Sequence, residues 1–339
     1  MVVLQSGVAK RGNYWLYRIL KNSLDSASIA QRSFIQSHPI REIAKTWPLS
    51  HDEQANIDVL DITEQGCYYR ISTIFRYPID DIATYLDQCR HVWTHSPICS
   101  KSRQVLPHFD KIVYIIRDPR DVAISMAKFA FTPYSRRFIP HNEPDFETFL
   151  AKNLPGMTEY WVQHVGNHLL NKGQLNIYFV FYERLLADFD NELCNLLGYL
   201  DIQLDTEEIE RIRQNVAFDA MKARNPCHVR QGKAGGWANT LTRTQQKQVV
   251  KVSGQLLDLL NYPLDLQQKT SRLLPELPDL TESNRSTIQK VLDSRIFPSR
   301  RNRIAQLLLP PLFWKTASVR RIAVQRLRQY MLQHSSRFS

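Results

Sequence analysis

"MVVLQSGVAKRGNYWLYRIL", residues 1–20, is the stretch on which the fold turns. Its first six residues are largely apolar and rich in valine, the pattern of a buried strand. From Asn13 to about Leu24 the apolar residues Leu16, Ile19, Leu20 and Leu24 return at helical spacing. Between strand and helix lie Gly7 and Gly12, spaced as in a G-x-x-x-x-G loop. Such a strand–loop–helix unit turns free backbone N–H groups toward an anion. A loop for nucleoside triphosphates would continue with Lys and then Ser or Thr, where this chain has Asn13 and Tyr14. Its lysine, Lys10, sits inside the loop. Taken alone, the loop fits a structural turn as well as an anion site.

Three further segments read as inner strands: "CRHVWT" (89–94), "KIVYIIR" (111–117) and "LNIYFVFY" (175–182). Helical patterns over 119–129, 145–170 and 183–200 separate or follow them. Alternating strands and helices predict an α/β fold, a mostly parallel sheet covered on both faces. Ligands of such sheets bind beyond the carboxyl ends of the strands. Residues 32–86 mix strand-like and loop-like pieces and receive no assignment; they are expected to shape a substrate-side wall.

The chain has 339 residues, 43% of them apolar, enough for a sizeable core. A net charge of +11 favours an anionic partner without naming it. Five scattered cysteines without a C-x-x-C pair argue against a disulfide framework or zinc site and for a reducing compartment. No leader pattern opens the sequence, and no stretch approaches the roughly 20 apolar residues of a membrane span. The expectation is a cytoplasmic protein with no metal. By composition it divides into an α/β domain (1–262), a linker (263–293) and a basic helical C-terminal extension (294–339). The extension carries ten Lys or Arg and no Asp or Glu. Three roles suit it: packing on the domain, lying on an anionic membrane surface, or touching an anionic polymer.

Two strand ends carry chemistry. Thr94-His95-Ser96-Pro97 places an imidazole where a general base is useful. "RDPRDVAIS" (117–125) follows "KIVYII". Asp118 and Pro119 suit a helix start, while Arg117 and Ser125 offer a guanidinium fork and a hydroxyl to an anion. The bland alternative is a capped helix with surface ion pairs among Arg117, Asp118, Arg120 and Asp121.

Taken together and in order, these pieces resemble the sulfotransferase family that uses 3′-phosphoadenosine 5′-phosphosulfate (PAPS). Lys10-Arg11-Gly12-Asn13-Tyr14-Trp15 matches its K-S-G-T-T-W loop, and Thr94 to Pro97 its T-H-x-P element. Arg117 to Ser125 matches R-[ND]-P-[KR]-D-V-x-x-S in full. Tyr182-Glu183, the F-x-x-M element from Phe218 to Met221, and Arg230-Gln231-Gly232-Lys233-Ala234-Gly235-Gly236-Trp237 follow. The likeness spans about residues 1–260. It implies a P-loop-like three-layer fold in which the loop takes a phosphosulfate, a group of lower charge that needs no magnesium.

The resemblance also implies roles. Lys10 stabilises the leaving group and His95 accepts a proton from the acceptor. Arg117, Ser125 and Arg230 hold the 3′-phosphate. Trp15 and Phe218 enclose the adenine, with Tyr182 at one of its nitrogens. Gly12 and Gly232 belong to the two glycine loops. Arg11, Asn13 and Tyr14 depart from the family's small hydroxyl residues, so backbone N–H groups, Asn13 and Arg11 are expected to replace those contacts. Gln231 and Gly236 replace a Lys and an Asp. The acceptor, a small molecule, lipid or glycan, is not legible; its selectivity is expected in residues 32–86 and 129–147. Rival readings are a small-molecule kinase on the same fold and a non-catalytic relative that binds an anionic partner. No nucleic-acid motif is present.

Overall fold

A computed structural model of the chain describes residues 1–226, 232–265 and 274–294. Its centre is a seven-stranded sheet ordered β4-β3-β2-β5-β1-β6-β7. The strands are β1 (Val3–Ser6), β2 (Asp58–Thr63), β3 (Gly66–Ile71), β4 (Phe75–Ile79), β5 (His91–Thr94), β6 (Lys111–Ile116) and β7 (Ile177–Phe181). Pairings from β2 through β5, β1 and β6 to β7 are parallel; β2–β3 and β3–β4 are antiparallel. The expected α/β layering is therefore present, and the fold is a mostly parallel sheet flanked by helices.

The side-chain period of two splits each central strand between two cores. Val3, Val113 and Ile115 face helix α1 (Asn13–Ser26) through Leu16, Ile19 and Leu20. Leu4, Ile112, Tyr114 and Ile116 face the opposite way, onto Trp161, Val162 and Val165 of the long helix Phe146–Leu170. Each fully buried aliphatic side chain contributes about 1.5–3 kcal/mol relative to exposure, so strands apolar on both faces are held as inner strands. β1 lies between β5 and β6, where the chain reverses its direction of sheet growth. That is the crevice where open α/β sheets take ligands.

Residues 32–86, unassigned from sequence, form the antiparallel β2–β3–β4 edge together with short helices such as Phe34–Ser37. The single helix expected over 183–200 is two, Tyr182–Ala187 and Phe189–Tyr199. Asp188 leaves helical backbone and caps the second, its side chain accepting from the Asn191 N–H.

The stretch read from composition as a linker also holds a helix, Glu282–Asp293. Its Ile288, Val291 and Leu292 are buried against the long helix. The close approach is made at Gly166, where an added Cβ would stand 3.0 Å from Leu292 Cδ2. Three apolar positions in a polar segment, at i, i+3 and i+4, suffice for that packing. Among the described residues no helix is long and apolar enough to cross a membrane. The basic extension beyond residue 294, with its proposed membrane contact, lies outside the described residues, as do Arg230 and Gln231.

Candidate active site

Four of the five parallel strands, β5, β1, β6 and β7, are followed by candidate site residues on one side of the sheet. His95, the 7–12 loop, Arg117 and Tyr182 follow them directly. These residues open onto one cleft of about 440 Å³. Lys10, Gly12, Asn13, Tyr14, Trp15, His95, Arg117, Ser125, Tyr182, Phe218 and Gly232 all line it. Arg11 does not.

The loop is fixed from several directions. Gly12 caps α1 with φ 94°, and an added Cβ would meet the Tyr182 ring at 2.4 Å, so only glycine fits. Lys10 also has a positive φ, 69°. Its ammonium lies 3.4 Å from the centre of the Phe129 ring, a cation–π contact at the edge of the cleft. Asn13 Nδ2 donates to the Val8 carbonyl at 2.7 Å, and Gln5 Nε2 donates to the Asn13 carbonyl at 2.6 Å. Asn13 thus braces the loop with its amide where the family pattern has a hydroxyl.

One expectation about this loop changes. The Arg11 side chain was expected to face the sulfonate, but it turns inward and is 0% exposed. Its Nη1 donates to the Tyr114 hydroxyl at 3.2 Å, under the sheet. The Tyr14 hydroxyl donates to Glu53 Oε2 at 2.8 Å and accepts from Asn225 Nδ2. Its ring borders the cleft while its oxygen ties helix α1 to neighbouring segments.

Arg117 is placed by what surrounds it. Its guanidinium lies 4.2 Å from the Tyr182 ring centre, and Nη2 donates to the Lys233 carbonyl at 2.8 Å. Nε is buried with no hydrogen-bond partner among the described residues. The Arg117 carbonyl accepts from Trp161 Nε1 at 2.9 Å, which locks the strand end to the long helix. The rest of "RDPRD" is scaffold. Asp118 caps helix Pro119–Ala130 and accepts Arg120 in a fork, Nε at 2.9 Å and Nη2 at 2.7 Å. That ion pair is buried, not a surface pair as the bland reading had it, because Arg120 packs 3.6 Å from the Trp237 ring centre. Asp121 accepts from the Gly235 and Trp237 N–H groups at 2.7 and 2.9 Å, so it holds the final glycine loop beside Arg117. Burial, then the neighbouring Asp118, pushes the Asp121 carboxyl up. Glu183, behind the site, accepts from the Asp118 N–H at 3.0 Å and the Tyr262 hydroxyl at 2.9 Å. Burial holds it up to about 7.

His95 is partly buried, with Nδ1 2.6 Å from the Gly7 carbonyl. A carbonyl only accepts, so Nδ1 carries the proton and Nε2 keeps its lone pair. Desolvation brings the imidazole down to about 3, with the Gly7 hydrogen bond opposing and nearby Arg70, Lys10 and Arg11 assisting. The residue's own carbonyl accepts from Tyr160 Oη at 3.3 Å and His164 Nε2 at 3.2 Å. Backbone and ring are both held.

At the other end, Trp15 donates from Nε1 to the Val216 carbonyl at 3.0 Å and meets Tyr182 edge-on, ring centres 5.7 Å apart. Phe218 is 42% exposed, too open for plain core packing. It rests on Gly232, where φ is 57° and an added Cβ would fall 2.5 Å from its ring. Sequence reasoning missed Arg70, Phe129, Tyr134 and Lys233, which also line the cleft. Lys233 stood within a quoted motif, Phe129 closes the helical stretch 119–129, and Arg70 and Tyr134 fall in the segments 32–86 and 129–147 where selectivity was expected but no single residue stood out.

Residues 3–261 match the family model described as the sulfotransferase domain. Cytosolic sulfotransferase 1 of Danio rerio is 27% identical over 181 residues, 48% of this chain and 59% of that protein. Sulfotransferase 1B1 of Mus musculus is 28% identical over 192 residues, 50% of this chain and 63% of that one. The chain thus spans about three fifths of the length of these curated relatives. A crystal structure of mouse sulfotransferase SULT7A1 complexed with PAP is 20% identical, with a TM-score of 0.49 covering 74% of this chain and 83% of that one.

Proposed function

The chain belongs to the sulfotransferase domain family, and on that premise we propose that it transfers a sulfuryl group from PAPS to a hydroxyl or amine, by in-line displacement with His95 as general base. The observation that carries this reading is the convergence of Lys10, His95 and Arg117 on one cleft at the ends of adjacent parallel strands.

The residues present suit the donor. The loop carries a cationic side chain, Gly12 lets the Tyr182 ring pack directly on the loop, and the buried Arg117 Nε has no protein partner among the described residues. PAPS, when bound, supplies a sulfuryl group on a phosphate leaving group and a 3′-phosphate that sets it apart from ATP. Lys10 neutralises the negative charge that grows on the leaving oxygen. Arg117 and Ser125, with Arg230, grip the 3′-phosphate, and the fork of Arg117 gives direction as well as charge. Trp15 and Phe218 take the adenine between them, and Tyr182 both supports Arg117 and closes the loop at Gly12.

Desolvation keeps His95 neutral at physiological pH, and because the Gly7 carbonyl accepts the Nδ1 proton, Nε2 is left to take the acceptor's proton. Trp93, Phe149 and Met157 line the cleft together with Ser72 and Thr73. This mixture suits a small acceptor with an apolar body and one nucleophilic group.

The deciding experiment is transfer of labelled sulfate from PAPS onto a panel of phenols, aliphatic alcohols, amines, lipids and glycans. It is paired with thermal shift in adenosine 3′,5′-bisphosphate and in ATP with magnesium. Transfer to at least one acceptor, with stabilisation by the bisphosphate, is expected. Stabilisation by ATP with magnesium alone would move the protein to the kinase alternative.

A further inference from the structure

Among the described residues two arginine side chains, Arg11 and Arg120, are wholly buried, and they are balanced in opposite ways. Arg120 sits in the fork of Asp118. Arg11 forms no salt bridge among the described residues. Its Nη1 donates to the Tyr114 hydroxyl at 3.2 Å and, at 3.5 Å, to the Ile115 carbonyl; Nε and Nη2 have no hydrogen-bond partner among the described residues. The Tyr114 and Trp161 rings, 6.0 and 5.5 Å from the guanidinium carbon, offer only their π faces. Burial pushes the guanidinium's pKa down, the direction expected of a cation without a counterion. A buried charge of this kind is costly to keep.

Its position is specific. Arg11 lies between Lys10 and Gly12, so its backbone belongs to the loop while its side chain passes underneath. The Ile115 oxygen that it reaches is 3.1 Å from where a Cβ on Gly7 would stand, which puts the charge beneath the first glycine of the loop. A hydrogen-bonded chain continues from it: the Tyr114 hydroxyl donates to His164 Nδ1 at 2.7 Å, and His164 Nε2 donates to the His95 carbonyl. Arg11 is also among the charges that disfavour a proton on His95, so its field reaches the cleft. Water cannot screen a charge held this way as it screens a surface lysine.

We propose that Arg11 is a positioning residue whose buried, unpaired charge is balanced by the anionic group bound on the loop above it, so that anion binding and fold stability are coupled through this one side chain. The inference rests on the reading of the loop as the donor's anion site. It assigns Arg11 a part in affinity without contact: the fold carries an unbalanced cation until the ligand arrives. An arginine that merely fills space makes the opposite forecast, since its removal would leave a cavity and leave the ligand's affinity alone.

Thermal unfolding and titration calorimetry of the full chain separate the two, with adenosine 3′,5′-bisphosphate and with inorganic sulfate as probes. Arg11→Met removes the charge and keeps most of the volume. Expected is a ligand-free melting temperature at or above that of the unsubstituted protein, with affinity for the bisphosphate reduced about tenfold or more and a smaller ligand-induced rise in melting temperature. A variant that melts lower yet binds the bisphosphate as tightly as the parent overturns the proposal. If Arg11→Met yields no folded protein, Tyr114→Phe takes its place. It strips the nearest hydroxyl from the cation, so the free protein should melt lower and gain more from the ligand than the parent does; an equal gain overturns the proposal. A parent protein stabilised by sulfate and not by the bisphosphate would refute the nucleotide reading alone, and the same variants would then be compared in sulfate. Stabilisation by neither probe refutes both.

Discussion

The two halves of the sheet differ in how they are held and in what they present. β5, β1, β6 and β7 are parallel, and their tips carry His95, the glycine loop, Arg117 and Tyr182. β2, β3 and β4 build the edge, with antiparallel pairing and a half-exposed outer strand. From this edge Arg70, Ser72 and Thr73 reach the same cleft. The first half is fixed by burial on both faces, so strand ends cannot wander and chemistry can be placed on them. The second half buries one face, through Leu60, Tyr69 and Ile71, in the same core, and leaves its turns and the outer strand β4 free to vary. Under the proposed function, a donor site needs the first arrangement, and acceptor choice tolerates the second.

Substitutions on the parallel half should have the largest effects. Lys10→Ala and His95→Ala are each expected to lower turnover about 10²-fold or more, with bisphosphate affinity largely retained in the His95 variant. Full turnover by His95→Ala in a sulfate-transfer assay would remove the base from that half. Arg117→Ala should weaken bisphosphate binding by about 1.5–3 kcal/mol, the scale of a charge-assisted hydrogen bond. An unchanged dissociation constant by calorimetry would end its assignment to the 3′-phosphate.

Acidity probes both halves together. Burial holds His91, His95 and His168 down to about 3, and His164 well below its ordinary value. Unfolded histidines titrate at about 6.5, so the stability these four contribute is complete above that pH and is lost as pH falls toward 3. Burial holds Asp58 and Glu183 up to about 7, which gives the opposite sign: their contribution is complete below the usual carboxylate range and is lost as pH rises through 7. The histidines outnumber the carboxyls, so unfolding free energy should rise between about pH 4.5 and 6.5, by about 1.4 kcal/mol per pH unit for each net proton. Urea midpoints that stay flat across that window would contradict the burial of these rings.

The smallest effect is expected at the edge. The Tyr134 hydroxyl joins helix Pro133–Phe138 to the β3–β4 turn, where the Thr73 N–H donates to it at 3.2 Å and Thr73 Oγ1 lies 2.7 Å away. Tyr134→Phe should raise the acceptor KM a few-fold, about 1 kcal/mol or less, and leave bisphosphate binding alone. A change in bisphosphate affinity of the size seen for Arg117→Ala would erase the distinction between the halves.

The contrast also explains what could be read from the sequence. β1, β6 and β7 were legible as apolar runs because they are buried on both faces, and β1 led directly to the loop. The β2–β4 edge was not, because "CYYRISTIFRYP" mixes aromatic, charged and β-branched residues whose order is set by cross-strand partners. Among site residues, the order of motifs brought Lys10, His95, Arg117 and Phe218 to one cleft in advance. It misjudged the direction of Arg11, because strand-and-loop reading gives backbone path and not which side of the path a long side chain takes. It passed over Glu282–Asp293, whose few apolar residues make sense only against a partner surface.

That helix has a practical consequence for anyone redesigning the protein. Gly166 is a seat, shaped to receive Leu292, and a chain cut at residue 261 would leave the seat open and an oily stripe of the long helix wet. The long helix is also the one whose Trp161 pins the Arg117 carbonyl. Trimming the terminus to the bounds of the matched family region would therefore risk loosening the strand end at Arg117, whereas a cut after residue 294 keeps the Gly166–Leu292 contact.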